Sequence, residues 1–175
     1  MPKLNVRQKN WLLSAHVSFA ALWTGSVVSI FLLSLKNQQA TDVAETTAFH
    51  AAANLLDDWI VIPSAIGAVV TATALCWVTN YGFTKFYWVM AKWGLTTALI
   101  GFGTGLLFPW SHTAERLSAL EGLQAAIDPI YQFDTRAVLW GSAFQVVLLL
   151  AIIGISVLKP WGRRTLKSSL KTESR

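Results

Sequence analysis

Four stretches of the chain are almost wholly apolar, and the polar residues collect between and outside them. The stretches run from Trp11 to Leu35, Trp59 to Val78, Phe86 to Pro109 and Ala137 to Leu158. A helix needs about 20 residues to cross the hydrocarbon core of a bilayer, so each predicts one span. Lys3, Arg7 and Lys9 precede the first stretch as they would a signal peptide. It is too long for a leader's apolar core and no small-residue cleavage site follows, so it reads as a retained helix. The segment DVAETTAFHAAANLLDD predicts a helix capped by Thr41 and leading into the second span, with Pro63 kinking or restarting it. Ser111 is expected to cap a further helix, HTAERLSALEGL, with Leu117, Leu120 and Leu123 as its apolar stripe. The short NYGF turn makes the second and third spans antiparallel neighbours. The expected fold is all-α: a transmembrane four-helix bundle, up-down-up-down, with residues 1–160 as one domain and 161–175 as a basic tail.

Composition turns this pattern into a membrane protein. Of 175 residues, 54% are hydrophobic and 13% charged, against about 25% charged in an average soluble domain. Trp11, Trp59, Trp77, Trp110 and Trp161 stand at the edges of apolar runs, where amphipathic rings settle at the headgroups. Lys3, Arg7, Lys9, Lys85, Lys159, Arg163, Arg164, Lys167, Lys171 and Arg175 fall on one side of the predicted spans. Lys36, Arg116 and Arg136 fall on the other, among most of the acids. The excess of basic residues predicts both termini in the cytoplasm and a multi-pass protein of the inner (cytoplasmic) membrane. Nucleic-acid binding needs a solvated basic surface, which this chain lacks. The single cysteine, Cys76, excludes an intrachain disulfide. No phosphate loop, nucleophile–base pair or carboxylate dyad appears, so hydrolysis by those constellations is unsupported.

Two spans carry an ionisable residue. His16 lies about 5 residues into the first and Lys92 about 6 into the third, which at about 1.5 Å per residue gives both the same depth below the cytoplasmic end. Ionisable groups inside a membrane are costly and mark candidate sites. His16, Ala20 and Trp23 share one helix face; Lys85, Lys92 and Thr96 share another, with Tyr87 and Trp93 nearby. The functional reading makes His16 a metal ligand, with haem iron as the metal it suits best. Lys92 is then a second ligand, a partner for a haem propionate or a proton-handling, catalytic group. The plainer reading has His16 bonding the backbone or a hydroxyl of a neighbouring helix, and Lys92 snorkelling to the interface.

The segment HVSFAALWTGSVVSIFLL resembles the His-then-Trp-then-Gly first helix of HemJ-type protoporphyrinogen oxidases and CopD-type copper-resistance membrane proteins. FYWVMAKWGLTT resembles a Trp-x-x-x-Lys segment in a later helix of the HemJ type. Closer still are uncharacterised bacterial four-helix integral membrane proteins, which share AHVSFAALWTG, DDWIVIPSAIGAVVTA and FYWVMAKWGLTT in that order. The resemblance covers roughly residues 11 to 100 and centres on His16, Trp23, Gly25 and Lys92. It implies that His16 ligates haem b and that Lys92 is essential, with Trp23 and Tyr87 beside the cofactor. The activity it implies is oxidation of a lipid-soluble porphyrinogen- or quinol-like substrate.

On the outer side, His50 and His112 flank the second and third spans, and Asn54, Asp57 and Asp58 continue the His50 face. Imidazole with carboxylate suits zinc or copper, so His50, His112 and Asp57 form a second candidate metal site, and His50 with His112 an alternative bis-His haem site. A solvated acidic cap is the plainer reading. Gly101 and Gly105 make a small-xxx-small pair, suited to packing within the bundle or to a homodimer seam. Gly25, Gly67 and Gly141 suit close packing, and Ser142 and Gln145 are expected to bond across helices. Three functions follow: a haem-binding redox protein; a scaffold, assembly factor or accessory subunit without a cofactor, bound to a partner membrane protein; and copper handling at the outer face.

Overall fold

The computed structural model describes residues 5–79 and 82–161. Four helical rods make up the described chain, with no strand among the described residues. The first is α1, Val6–Asn37. The second joins α2, Val43–Leu56, to α3, Ile62–Val78, through a π-helical turn over Asp57–Val61. The third joins α4, Tyr87–Phe102, to α5, Phe108–Glu121, through a π-helical turn over Gly103–Leu107. A 3₁₀ turn, Gly122–Ile127, leads to the last rod, α6, Pro129–Leu158.

Local chemistry sets the ends of these rods. Asn5 and Gln8 close a reciprocal capping box on α1 at 2.8 and 3.0 Å. Gly122 stops α5 with φ +57°, in the left-handed region that favours glycine. Asp128 caps α6 by accepting from the Ile130 and Tyr131 N–H groups, and Pro129 fills the first helical position. Thr41 does not cap α2. That place belongs to Asp42, whose side chain makes no capping bond.

The second rod restarts as an α-helix at Ile62 with Pro63 in its first turn, as the sequence predicts. The third restarts at Phe108 with Pro109 in its first turn, where the sequence pattern ends the span. Each proline follows a π turn by two residues: Ile62 N–H reaches back to Asp57 O, and Phe108 N–H to Gly103 O. A proline has no N–H and collides with the carbonyl four residues back. The extra residue in the π turn absorbs that mismatch. Ser111 consequently lies inside α5 rather than capping it. The buried face of α5 is also not the leucine stripe: it is Ser111, Ala114 and Ser118, while Leu120 is exposed.

Three helices are long and apolar enough to cross a membrane: Val6–Asn37, Val43–Val78 and Pro129–Leu158. The sequence pattern predicts Phe86–Pro109 as a fourth. It is helical but does not join them, because Lys92 and a run of glycines and threonines dilute its apolar content. In each of the three, only 22% of the most apolar window is buried within the chain. Most of the apolar surface, including Leu22, Ile66, Val70 and Val147, is therefore exposed, as suits contact with lipid. Trp11, Trp59 and Trp77 are exposed too, as interfacial rings would be. The tail 162–175 and Lys3 lie outside the described residues.

The core joins Trp23, Val27 and Ile30 of α1 to Ala53, Val61, Ala65 and Ala68, with Leu99 of α4 and Leu149 of α6. Close approach occurs at Gly67, where an added Cβ would stand 2.6 Å from the Phe19 ring, and at Gly141, where it would strike Leu107. Gly25, Gly101 and Gly105 meet nothing within 4 Å, so packing within the chain does not explain them. Ser142 bonds the Leu139 carbonyl of its own helix rather than a neighbour.

Candidate functional site

The His16 site begins with the contact between α1 and α3. His16, Phe19 and Trp23 are spaced at i, i+3 and i+7, which places them on one helical face. Gly67 lets the Phe19 ring lie against the α3 backbone. The same approach brings His16 Nδ1 to 3.1 Å from the Ala68 carbonyl oxygen and 3.0 Å from Thr71 Oγ1. Thr71 places its own hydroxyl proton on the Gly67 carbonyl at 2.7 Å. Both neighbours of Nδ1 are therefore acceptors, so Nδ1 carries a proton and donates. In the neutral ring the lone pair is left on Nε2. An imidazole anchored through one nitrogen by a backbone carbonyl, with the other nitrogen free as a donor, is the usual arrangement of a metal-bound histidine.

Lys92 is half-buried on α4 and stands in electrostatic range of His16. Its ammonium lies 6.0 Å from the centre of the Trp88 ring, one turn back on the same helix. Lys159 approaches that ring at 5.8 Å, so the end of α6 lies beside the start of α4. Trp23 is 5% exposed and its Nε1 has no hydrogen-bond partner. Tyr87, by contrast, is 51% exposed at the start of α4. As the first residue of its helix it turns outward instead of joining the buried Trp23. His16 offers one imidazole nitrogen here with the Lys92 cation in electrostatic range, and the unpartnered Trp23 indole N–H lies about two turns further along α1. His16 lines neither the small cavity beside His50 nor the hollow at the start of α1.

The end of the bundle where α1 passes into α2 holds a denser polar cluster. His50 is 6% exposed and its Nε2 lies 3.0 Å from Asn37 Nδ2 and 3.2 Å from the Tyr131 hydroxyl. The amide N–H of Asn37 donates, so Nε2 accepts. Asn54, 3% exposed, donates to Glu115 Oε2 at 2.5 Å and accepts from Ser111 Oγ at 2.5 Å. Thr47 donates to Ser118. These bonds tie together α1, α2, α5 and α6. Leu33, Phe49, Ala53, Val138 and five polar residues, Ser34, Asn37, His50, Ser111 and Thr135, line a cavity of about 10 Å³ between these helices. A second hollow, of about 450 Å³, lies against the start of α1, lined by Val6, Arg7, Asn10, Trp11 and Ser14.

The expected outer metal set is not gathered by these contacts. His50 is committed to Asn37 and Tyr131. His112 Nε2 stands 3.5 Å from Asp58 Oδ1, both side chains over a third exposed, and its ring packs on Phe108 at 4.3 Å. Asp57 belongs to the π turn. No group of three or more His, Cys, Asp or Glu that could hold a metal ion occurs among the described residues.

The residue pattern puts Asn54 on the His50 face but does not single out Asn37 and Tyr131 as partners of His50, or Ser111 and Glu115 as partners of Asn54. The signal available was polar periodicity: Ser34 with Asn37, Ser111 with Ser118, and Tyr131 with Thr135 recur at helical spacing.

No protein-family model matches the chain, and no match is found among curated proteins or solved structures.

Proposed function

We propose that this chain is an integral membrane haem protein in which His16 Nε2 would hold the iron of haem b. It acts as a redox protein on a lipid-soluble, porphyrinogen- or quinol-like substrate in a bacterial inner membrane, with both termini cytoplasmic. The observation that supports this most is the commitment of His16 Nδ1 to the Ala68 carbonyl and Thr71, which fixes the ring and leaves Nε2 as a ligand. When bound, haem supplies one-electron chemistry. The chain's part is to orient the imidazole through Ala68 and Thr71, to offer the Trp23 N–H, and to place the Lys92 charge where an acidic substituent of the cofactor is favoured.

The test is an absorption spectrum of detergent-purified protein from haem-replete cells. A Soret band that disappears in His16→Ala supports the reading. A colourless preparation that takes up no added hemin overturns it.

A second reading has a specific observation behind it. The same two hydrogen bonds cross-link α1 to α3, which is what a purely structural histidine does in a membrane bundle. On that reading the chain is a scaffold or accessory subunit for a partner membrane protein. It predicts no cofactor, and a partner retained on mild solubilisation.

A further inference from the structure

Asn37 and Thr135 each bury a polar oxygen at the end of the bundle where α1 passes into α2, and both residues line the same small cavity. Asn37 is 7% and Thr135 9% exposed, and neither Asn37 Oδ1 nor Thr135 Oγ1 has a hydrogen-bond partner in the chain. Buried oxygens of this kind are paired in native proteins, by protein groups or by ordered water. The cavity beside them measures about 10 Å³, which is roughly the space that one water molecule requires.

We propose that this cavity is a binding site for a single ordered water, which accepts from the Thr135 hydroxyl and donates to Asn37 Oδ1. The remaining proton has the hydroxyl oxygens of Ser34 and Ser111 as acceptors in the lining. Ser111 gives its own proton to Asn54, so its lone pairs stay available.

The water closes a ring. His50 joins Asn37 at 3.0 Å and Tyr131 at 3.2 Å. Tyr131 and Thr135 are one turn apart on α6. The water spans the remaining gap, from Thr135 to Asn37, and α1, α2 and α6 become linked in one circuit around His50. A purely apolar cavity would stay dry. This one has an amide oxygen and three hydroxyls, and its chemistry selects a small neutral guest that both donates and accepts.

Thr135→Val separates a hydrated site from a dry one by sign. Valine has the shape of threonine without the hydroxyl. With a water bound, the substitution removes one of its partners and lowers the Tm of the full chain in detergent by about 2–4 °C. With a dry site, it removes an unpaired buried hydroxyl and raises the Tm, which overturns the proposal. Stability of the wild-type chain that follows sodium concentration, with choline as the control, also overturns it by making the guest a cation. If Thr135→Val fails to fold, a high-resolution experimental density map of the wild type decides. A peak within hydrogen-bond distance of both oxygens supports the site, and a featureless cavity overturns it.

Discussion

His16 and Ala68 meet across the α1–α3 contact, with Nδ1 3.1 Å from the carbonyl oxygen. This contact orients the one histidine of the first span and decides which of its nitrogens is left for other work. His16→Ala is expected to abolish any Soret absorbance while lowering stability by only about 0.5–1.5 kcal/mol, the net worth of an ordinary hydrogen bond. Parallel spectra and thermal unfolding of the two proteins check this. A variant that unfolds outright would place His16 in the structural class.

Thr71→Val tests positioning rather than ligation. It removes one acceptor from Nδ1 and leaves the Ala68 carbonyl in place. Loss of such an outer partner weakens metal binding by about 10–100-fold. Hemin titration should show reduced affinity with the band position kept, where His16→Ala shows no band.

Gly67→Ala is expected to destabilise by about 1–3 kcal/mol, the usual cost of overpacking. The new Cβ would stand 2.6 Å from the Phe19 ring, and a ring wedged between helices has no flexible end to move. Gly101→Ala and Gly105→Ala meet nothing within 4 Å and should stay within about 0.5 kcal/mol of wild type. If these two instead shift the molecular mass of the purified particle, the exposed glycine pair serves a homodimer seam.

Asn54→Leu should cost about 2–3 kcal/mol or more, because it strands both Glu115 and Ser111 in a buried setting. The double variant Asn54→Leu with Ser111→Ala should cost less than the sum of the two single variants. Thermal unfolding around that cycle measures the coupling.

Much of the architecture could be read without coordinates, because lipid imposes a simple rule. Apolar runs of about 20 residues must be helical where water is absent to pair the backbone. The rule located helices over all four predicted spans and the exposed tryptophans at Trp11, Trp59 and Trp77. It overstated the third span, since Lys92 and the small residues around it leave that rod short of the apolar content of the other three. The sequence pattern also marks a restart at Pro63, where α3 begins after the π turn, but it ends the third span at Pro109, where α5 carries the rod on. Whether a proline ends a helix depends on the hydrogen bonds of the preceding turn, and a π turn is not a pattern of residue types.

The candidate sites divide along the same line. Residue type and spacing by themselves singled out His16 and Lys92 as costly, ionisable side chains in apolar helices, and His50 as polar near a span's end. Composition alone excluded a soluble domain. Partners were a matter for the tertiary structure, because helix rotation is set by side chains packing between rods. The fit of Phe19 on Gly67 turned His16 toward Ala68. The junction of α1, α2 and α6 gave His50 to Asn37 and Tyr131, and left His112 to Asp58.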